Sequence, residues 1–192
     1  MESVDLKQGQ EEEWEIIPFD PERHLEKVVE FGSRTCKSNA SALRNEILKV
    51  YSRLPTGFFV MVLKETREPI GFISMCFQQP RTVRFALGLV GRVFPAVVDP
   101  VVKQLVAAGV VSKFEVANII VDEKYQRRGI GTKLVSFGEG FIEKHFTQKQ
   151  SWLFVREDNI PAIGLYKKLG YEQKDFFFFK NRKKLVMAKN LS

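Results

Sequence analysis

The sequence predicts one domain of mixed α and β structure (α/β or α+β), in which helices flank a central sheet. Its length of 192 residues suits a single domain with a proper core. Hydrophobic residues make up 44% of the chain and charged residues 28%, as in ordinary globular proteins. Strand-like runs alternate with apolar residues at helical spacing. We therefore expect one domain over residues 1–192, in which residues 1–12 form a flexible acidic N-terminus.

The N-terminal part predicts a strand and two helices. A strand at Trp14–Pro18 is followed by Asp20 and Pro21, which are typical of a helix cap and a first helical turn. This helix runs toward Cys36. Apolar residues at helical spacing then predict a second helix over Ala40–Ser52.

The middle of the chain predicts a hairpin, a helical region and a long strand. Two β-rich runs, Gly57–Lys64 and Ile70–Gln78, are joined by a polar connection of hairpin length, so we expect an antiparallel pair. The apolar region Arg84–Gly109 is interrupted by prolines, which predicts two short helices. Its role stays open between a lid, the wall of a pocket and a dimer interface. A long strand over Val110–Val121 follows.

The C-terminal part predicts a helix, a strand, a second helix and a closing hairpin. An amphipathic helix begins at Ile130, and a strand follows at Trp152–Val155. Asn159 and Pro161 are typical of a helix start, and Gly170 is typical of a helix end.

The closing hairpin consists of Tyr171–Phe179 and Leu185–Ala188, joined by a polar turn at Lys180–Lys184. It contains the aromatic run Phe176–Phe179. We expect alternate rings of this run to be buried in the core, and lining of a binding site by the run stays open as the alternative.

Net charge, the cysteines and histidines, and the lengths of apolar runs indicate the kind of partner and the compartment. The net charge of +7 fits an anionic partner without choosing among nucleic acid, acidic membranes and small anions. Cys36 and Cys76 lack metal or disulfide spacing, and His24 and His145 have no ligand-spaced neighbours, so we expect no metal site and a reducing compartment. The N-terminus has no secretory pattern, and no apolar run is long enough to span a membrane. These observations predict a soluble, cytoplasmic protein.

The stretch Tyr125–Gly131, YQRRGIG, is the strongest functional signal. A glycine turn that follows a strand and opens a helix presents backbone N–H groups without helical partners, which attract anions. Gly129 and Gly131 remove side chains that would keep a phosphate away, and Arg127 and Arg128 add positive charge. The spacing matches neither the dinucleotide fingerprint nor the phosphate loop of nucleotide hydrolases.

Two motifs carry a resemblance to a known family. Gln126–Gly131 matches the pattern [QR]xxGx[GA], and Val155–Glu172, VREDNIPAIGLYKKLGYE, is similar to the second conserved block of the same family. The chain resembles the GNAT superfamily of acyl-CoA-dependent N-acetyltransferases, and the match covers Glu115–Glu172. The resemblance implies a central mixed, mostly antiparallel sheet of about seven strands with a splayed cleft.

The resemblance also implies that acetyl-CoA is the cosubstrate. Its pantetheine arm would pair with the backbone of the motif strand, and its pyrophosphate would lie on the N–H groups of residues 126–132. The implied cofactor-binding residues are Ile119, Ile120, Val121, Gln126, Arg127, Arg128, Gly129, Ile130, Gly131, Thr132 and Asn159.

The resemblance implies that Tyr166 is the general acid toward the departing thiolate. A backbone N–H near Ile120 or Val121 would hold the oxyanion. Phe154 stands where certain relatives carry a glutamate, so the base is less clear. Glu115 is the best candidate, acting directly or through water, and an exposed strand-end carboxylate without a catalytic role is an equal alternative. Asp122 is expected to cap the turn.

These observations predict an N-acetyltransferase that transfers acetyl from acetyl-CoA to a primary amine by direct attack in a ternary complex. A small-molecule amine and a protein or peptide amine both stay open as the acceptor. The alternative is a non-catalytic coenzyme A-binding regulatory module of the same fold. Nucleic-acid and membrane partners are not expected, and a homodimer stays open.

Overall fold

The structure is a computed structural model that describes residues 13–52, 54–78, 113–145 and 150–191. The predicted flexible N-terminus and the region Arg84–Gly109 lie outside the described residues. The described ranges contain seven strands and four α-helices. None of these helices is long and apolar enough to cross a membrane.

The bounds of the elements agree closely with the sequence predictions. The strands are β1 (Trp14–Pro18), β2 (Phe58–Leu63), β3 (Pro69–Gln78), β4 (Lys113–Val121), β5 (Gln150–Arg156), β6 (Glu172–Phe179) and β7 (Arg182–Asn190). The helices are α1 (Pro21–Cys36), α2 (Ala40–Tyr51), α3 (Ile130–His145) and α4 (Ile160–Lys168).

The strands form one sheet in the order β1-β2-β3-β4-β5-β7-β6. Every neighbouring pair is antiparallel except β4 and β5, which run parallel. The predicted mixed, mostly antiparallel sheet of seven strands is therefore confirmed. The one parallel pair needs a crossover connection, and α3 supplies it.

The sheet carries a hydrophobic core on each face. On one face, α1 and α2 pack against Phe72 of β3 and Ile120 of β4. We call this side the α1/α2 face. On the other side, the α3/α4 face, α3 packs against residues that include Met75, Leu153 and Met187. Partly buried side chains of α4 pack against the same core.

The helix ends follow the local chemistry of the sequence. The Asp20 carboxylate caps α1 by accepting a hydrogen bond from the Glu22 N–H at 2.9 Å, and Pro21 occupies the first turn. His24 is buried, and its Nδ1 accepts a hydrogen bond from the Asp20 N–H at 2.9 Å. His24 therefore has a structural role in this turn.

Two predictions for the closing hairpin are wrong. The turn is not the five residues Lys180–Lys184 but only Lys180 and Asn181, which both have positive φ of 49° and 58°. Arg182–Lys184 belong to β7, because such a two-residue turn fits the twist of the flanking strands.

The aromatic run is not buried in alternate positions. Phe176, Phe178 and Phe179 are 50%, 68% and 53% exposed, and Phe177 is half-buried. The reason is topological. β6 is the last strand of the sheet and pairs only with β7 among the described residues.

Candidate active site

A break in the sheet opens a cleft between β4 and β5. Ser74 of β3 pairs with Asn118 of β4, whereas the next residue, Met75, pairs with Val116. Ala117 therefore forms a β-bulge. After the bulge, odd-numbered residues such as Ile119 face the α3/α4 core, whereas before it the even-numbered residues Phe114 and Val116 face that core.

The pairing of β4 with β5 stops at this bulge. Only Phe114–Val116 pair with Ser151–Leu153. β4 then continues to Val121, and no other strand of the described residues pairs with this side of it. The predicted splayed cleft is confirmed.

The cleft side of β4 presents backbone groups suited to an extended ligand. The side chain of Ile120 is buried against α1 and α2. The side chains of Ile119 and Val121 are partly buried and pack against the α3/α4 core. The strand edge that faces the cleft is therefore backbone, which fits the amides of a pantetheine arm. The Val121 carbonyl at the end of this edge already has partners, because it accepts hydrogen bonds from Thr35 Oγ1 at 3.4 Å and from Gln126 Nε2 at 3.1 Å.

The turn after β4 has the backbone shape of an anion site. Asp122 caps it as expected, because its carboxylate accepts a hydrogen bond from the Lys124 N–H at 3.1 Å. Arg127 and Gly129 have positive φ of 65° and 79° whereas Arg128 does not, so the sign of φ alternates along the turn before α3 begins. Such alternation turns successive N–H groups into one concavity.

The start of α3 adds further donors to this concavity. Its first intrahelical hydrogen bond runs from the Lys133 N–H to the Gly129 carbonyl at 3.1 Å, so the preceding N–H groups of the first turn have no helical acceptor. A Cβ atom on Gly129 would meet nothing within 4 Å among the described residues. One on Gly131 would meet only Leu165 Cδ2, at 3.2 Å. At Gly129 the turn thus leaves room for a phosphate group close to the backbone, whereas at Gly131 the backbone lies close to Leu165 of α4.

Arginine side chains border this space. Arg127 and Arg128 are both exposed, and the Arg128 guanidinium lies 5.1 Å from the centroid of the Tyr125 ring. The residues of the turn therefore fit the pyrophosphate of coenzyme A in shape and in charge.

Tyr166 lies on α4, and its partly buried side chain packs against the α3/α4 core. Its ring contacts that of Tyr171, with 5.8 Å between centroids and 62° between planes. Burial raises the pKa of the Tyr166 phenol to about 12. The phenol is therefore protonated at neutral pH and can act as a donor.

The C-terminus of α4 fixes the backbone of Tyr166. Gly170 has a φ of 88°, and its N–H donates to the Lys167 carbonyl at 3.0 Å. The Tyr171 N–H donates to the Tyr166 carbonyl at 3.0 Å. These two bonds make a Schellman motif, which explains why Gly170 ends the helix as predicted.

A buried hydroxyl pair anchors this helix end to the sheet. The Tyr171 hydroxyl lies 2.7 Å from Ser151 Oγ, and both residues are almost fully buried. Burial and the nearby Glu139 carboxylate raise the pKa of Tyr171. Glu139 of α3 in turn accepts a hydrogen bond from Lys189 Nζ at 2.8 Å. The sequence analysis did not predict this anchor, although Tyr171 lies near the end of the conserved block Val155–Glu172 quoted above.

Asn159 has a structural use that does not test its predicted contact with the cofactor. It is the N-cap of α4, and its Oδ1 accepts a hydrogen bond from the Ala162 N–H at 3.3 Å. Its side chain is exposed at the end of β5 where the cleft opens.

Glu115 lies beside the cleft on the α1/α2 face. It pairs with Cys76 of β3 and Trp152 of β5, and it is half-buried rather than exposed. Its neighbours in the sequence, Phe114 and Val116, belong to the opposite core.

The same face carries polar and aromatic neighbours that the sequence did not indicate. Asn118 Nδ2 donates to Ser74 Oγ at 3.1 Å, immediately after the bulge. Phe154 of β5 contacts Phe177 of β6 with 5.2 Å between ring centroids. This face therefore combines a carboxylate, an amide and an apolar wall.

Comparisons with known proteins agree with this geometry. The family model described as the acetyltransferase (GNAT) family matches residues 26–171. An N-alpha-acetyltransferase of Sulfurisphaera tokodaii is 41% identical over 63 residues, which are 33% of this chain and 38% of that protein. The chain thus aligns with well under two thirds of the length of that relative.

Solved structures share the fold. A crystal structure of a protein from Pyrococcus horikoshii OT3 superposes with a TM-score of 0.69 at 19% identity, covering 94% of this chain and 99% of that one. Ard1 from Thermoplasma volcanium gives a TM-score of 0.66 at 18% identity, covering 93% and 98%. With a family model matching most of its length, and with the cleft and glycine turn in place, this chain belongs to the acetyltransferase (GNAT) family.

Proposed function

We propose that this chain is an N-acetyltransferase that transfers the acetyl group of acetyl-CoA directly to the N-terminal amine of a polypeptide. One observation carries the proposal. The pairing of β4 with β5 ends at Val116, while β4 continues into the glycine turn. An unpaired strand edge is thus followed directly along the chain by an anion site, and these two features suit the pantetheine arm and the pyrophosphate of coenzyme A.

The transfer forms a C–N bond to the acceptor amine and breaks the C–S bond of the thioester. Backbone N–H groups near Ile120 and Val121 would hold the carbonyl oxygen as negative charge develops on it. Tyr166 would donate its phenolic proton toward the leaving sulfur. Because an ordinary thiol has a pKa of about 8.5, complete transfer from this phenol is uphill, so its hydrogen bond to sulfur is the larger contribution.

The acceptor amine must lose a proton before or during the attack. Glu115 is the candidate base, and its position beside the splay on the α1/α2 face supports this role. The Asn118–Ser74 pair lies on the same strands and can hold a water between the amine and the carboxylate.

Two observations favour a polypeptide acceptor over a small amine. The relative from Sulfurisphaera tokodaii is an N-alpha-acetyltransferase. The aromatic pair Phe154 and Phe177 lines the α1/α2 face, where it can contact the first side chain of a peptide. The reducing cytoplasm, which the cysteine usage of the sequence predicts, stays our proposal for the location of this activity.

The test is release of coenzyme A thiol from acetyl-CoA with four kinds of acceptor. These are peptides with a free N-terminus, N-terminally blocked peptides with an internal lysine, polyamines and aminoglycosides. We expect turnover with the first kind, and mass spectrometry should locate the acetyl group on the α-amine. Turnover only with lysine or small amines would refute the proposed acceptor. Thermal stabilisation by coenzyme A without turnover on any acceptor would indicate the non-catalytic binding module instead.

A further inference from the structure

Apart from the Phe177 ring on the α1/α2 face, the outer edge of the sheet at β6 has no function in acetyl transfer as described above. β6 is the terminal strand, and no strand of the described residues pairs with its outer side. An unpaired edge presents a row of backbone N–H and C=O groups that can accept another strand.

The two halves of β6 differ in side-chain charge and in the regularity of their pairing with β7. The first half carries charged side chains, and its pairing with β7 is irregular between Gln173 and Asp175. Charges and bulges of this kind discourage strand addition. The second half, Phe176–Phe179, has neither feature, and only its first N–H, that of Phe176, already donates to a side chain, Asp175 Oδ1 at 2.7 Å, among the hydrogen bonds of the described residues. We call this half the aromatic edge.

The aromatic edge exposes a large apolar area. Phe176, Phe178 and Phe179 are at least half exposed. Phe176 and Phe178 contact each other on one face of β6, with 6.2 Å between ring centroids, and Phe179 lies on the other face. Phenylalanine has no polar atom, so exposure of these three rings is unfavourable unless a partner covers them.

Positive charge surrounds these rings. Lys183 Nζ lies 4.8 Å from the Phe176 centroid, and the ammonium groups of Lys180 and Lys184 lie 5.6 Å and 5.3 Å from that of Phe179. Lys183 is paired with Glu157. Lys180, Arg182 and Lys184 have no carboxylate of the described residues within salt-bridge distance.

We propose that the aromatic edge binds an extended, acidic segment of a partner protein, which adds to the sheet as a further strand beside β6. The segment would satisfy the open backbone groups of β6, cover the exposed rings with alternate side chains, and place carboxylates near Lys180, Arg182 and Lys184. These are three separate matches between one kind of ligand and one surface.

Other occupants satisfy fewer of these features. A lipid bilayer would cover the rings and attract the lysines, but it cannot hydrogen-bond an open strand edge. Single-stranded RNA binds by stacking bases on ring faces, and ammonium groups already lie near the rings of Phe176 and Phe179. A second copy of the chain would bring the same positive charges together.

The test uses a fluorescent peptide of about seven residues in which glutamate alternates with valine. The peptide is N-acetylated, so it cannot serve as an acceptor, and the result is independent of the proposed enzymatic function. We expect saturable binding in the micromolar range that weakens as salt is added. Hydrogen exchange should show new protection of amides within Glu172–Phe179. A peptide with proline in place of valine should bind at least tenfold more weakly, because it lacks N–H groups.

Two variants and a matched control locate the site. The double variant Arg182→Glu with Lys184→Glu and the double variant Phe176→Ser with Phe178→Ser should each weaken binding about tenfold, an expected loss of about 1.4 kcal/mol. Lys49→Glu with Lys144→Glu makes the same charge change on exposed positions of α2 and α3 and should have a smaller effect. Circular dichroism confirms that each variant is folded.

Several outcomes would overturn the proposal. They are equal binding of the proline peptide, equal loss in the control variant, or protection of amides elsewhere. Stronger binding to phosphatidylserine vesicles or to a single-stranded RNA, lost in the same two variants, would assign the edge to that other partner. Concentration-dependent dimerisation that Phe178→Ser abolishes would assign it to a second copy.

Discussion

The glycine turn at residues 126–131 and the aromatic edge at Phe176–Phe179 differ in what their sequences reveal. Both are short runs of unusual composition. The turn forms where its sequence predicts it, between β4 and α3, with positive φ at Gly129 and also at Arg127, which the sequence did not indicate. The aromatic edge does not, because its rings are exposed where burial was expected.

The difference lies in the range of the interactions that define each region. An anion site at a helix start consists of backbone groups within one turn, so six consecutive residues specify it. Burial of a strand depends on which elements lie beside it and on its two faces. Phe176–Phe179 would be buried in a central strand, but the same residues at the end of the sheet are not. Substitutions in the two regions should therefore have effects of different size on ligand binding and on the free energy of unfolding.

The largest effect is expected at the turn. Gly129→Glu and Gly131→Glu should each weaken acetyl-CoA binding at least about a hundredfold, because a carboxylate beside the pyrophosphate would repel it, and at Gly131 the new side chain would also press on Leu165. At Gly129 the positive φ adds strain of about 1 kcal/mol. Isothermal titration with coenzyme A measures the change.

Gly140→Glu is the matched control for this experiment. Gly140 lies on α3 in open space without positive φ, so the same substitution should fold and bind normally. Unchanged affinity in the two turn variants would show that the turn does not hold the pyrophosphate.

The second effect concerns the chemistry next to the turn. Tyr166→Phe should lower kcat by about a hundredfold or more, because the leaving sulfur loses its proton donor. The KM for acetyl-CoA should change little, since binding relies on β4 and the turn. Steady-state kinetics separates the two parameters. Tyr51→Phe, a tyrosine of the opposite core, is the control and should retain activity. A Tyr166→Phe enzyme with normal kcat would assign the proton to another group.

Most of the fold could be predicted because its signals are local. Asp20 with Pro21, and Asn159 with Pro161, place the starts of two helices, and Gly170 ends the second. In each case, the residue acts on backbone groups within one turn of itself.

The features that no local pattern of the sequence indicated all depend on pairing, and of these only the splayed cleft was predicted, through the family resemblance. The bulge at Ala117 exists only relative to β3, and the cleft only relative to β5. The contact between Ser151 and Tyr171 joins residues 20 positions apart on different elements. Such features require the strand order, which no single segment encodes.

A third, smaller effect tests one of these pairing-dependent features. Tyr171→Phe keeps the ring but removes the hydrogen bond to Ser151, so unfolding free energy should fall by about 1 kcal/mol. The anchor also holds the end of α4 through the Tyr166 carbonyl. We therefore expect kcat to fall about fivefold with KM unchanged, well below the melting temperature.

A double-mutant cycle with Ser151→Ala checks this interpretation. If the hydroxyl pair acts as one unit, the double variant should lose little more kcat than either single variant. Additive losses, or a stability loss with full kcat, would show that the pair stabilises the core without positioning Tyr166.

The smallest effect is expected at the aromatic edge and contrasts it with the core. Phe178→Ala should change the free energy of unfolding by no more than about 0.5 kcal/mol, because the side chain is already in solvent. Phe72→Ala removes a fully buried ring and should cost about 3 to 5 kcal/mol. Chemical denaturation of both variants gives the comparison. A large loss for Phe178→Ala would mean that the ring is covered in solution, and the aromatic edge would then be unavailable to a partner strand.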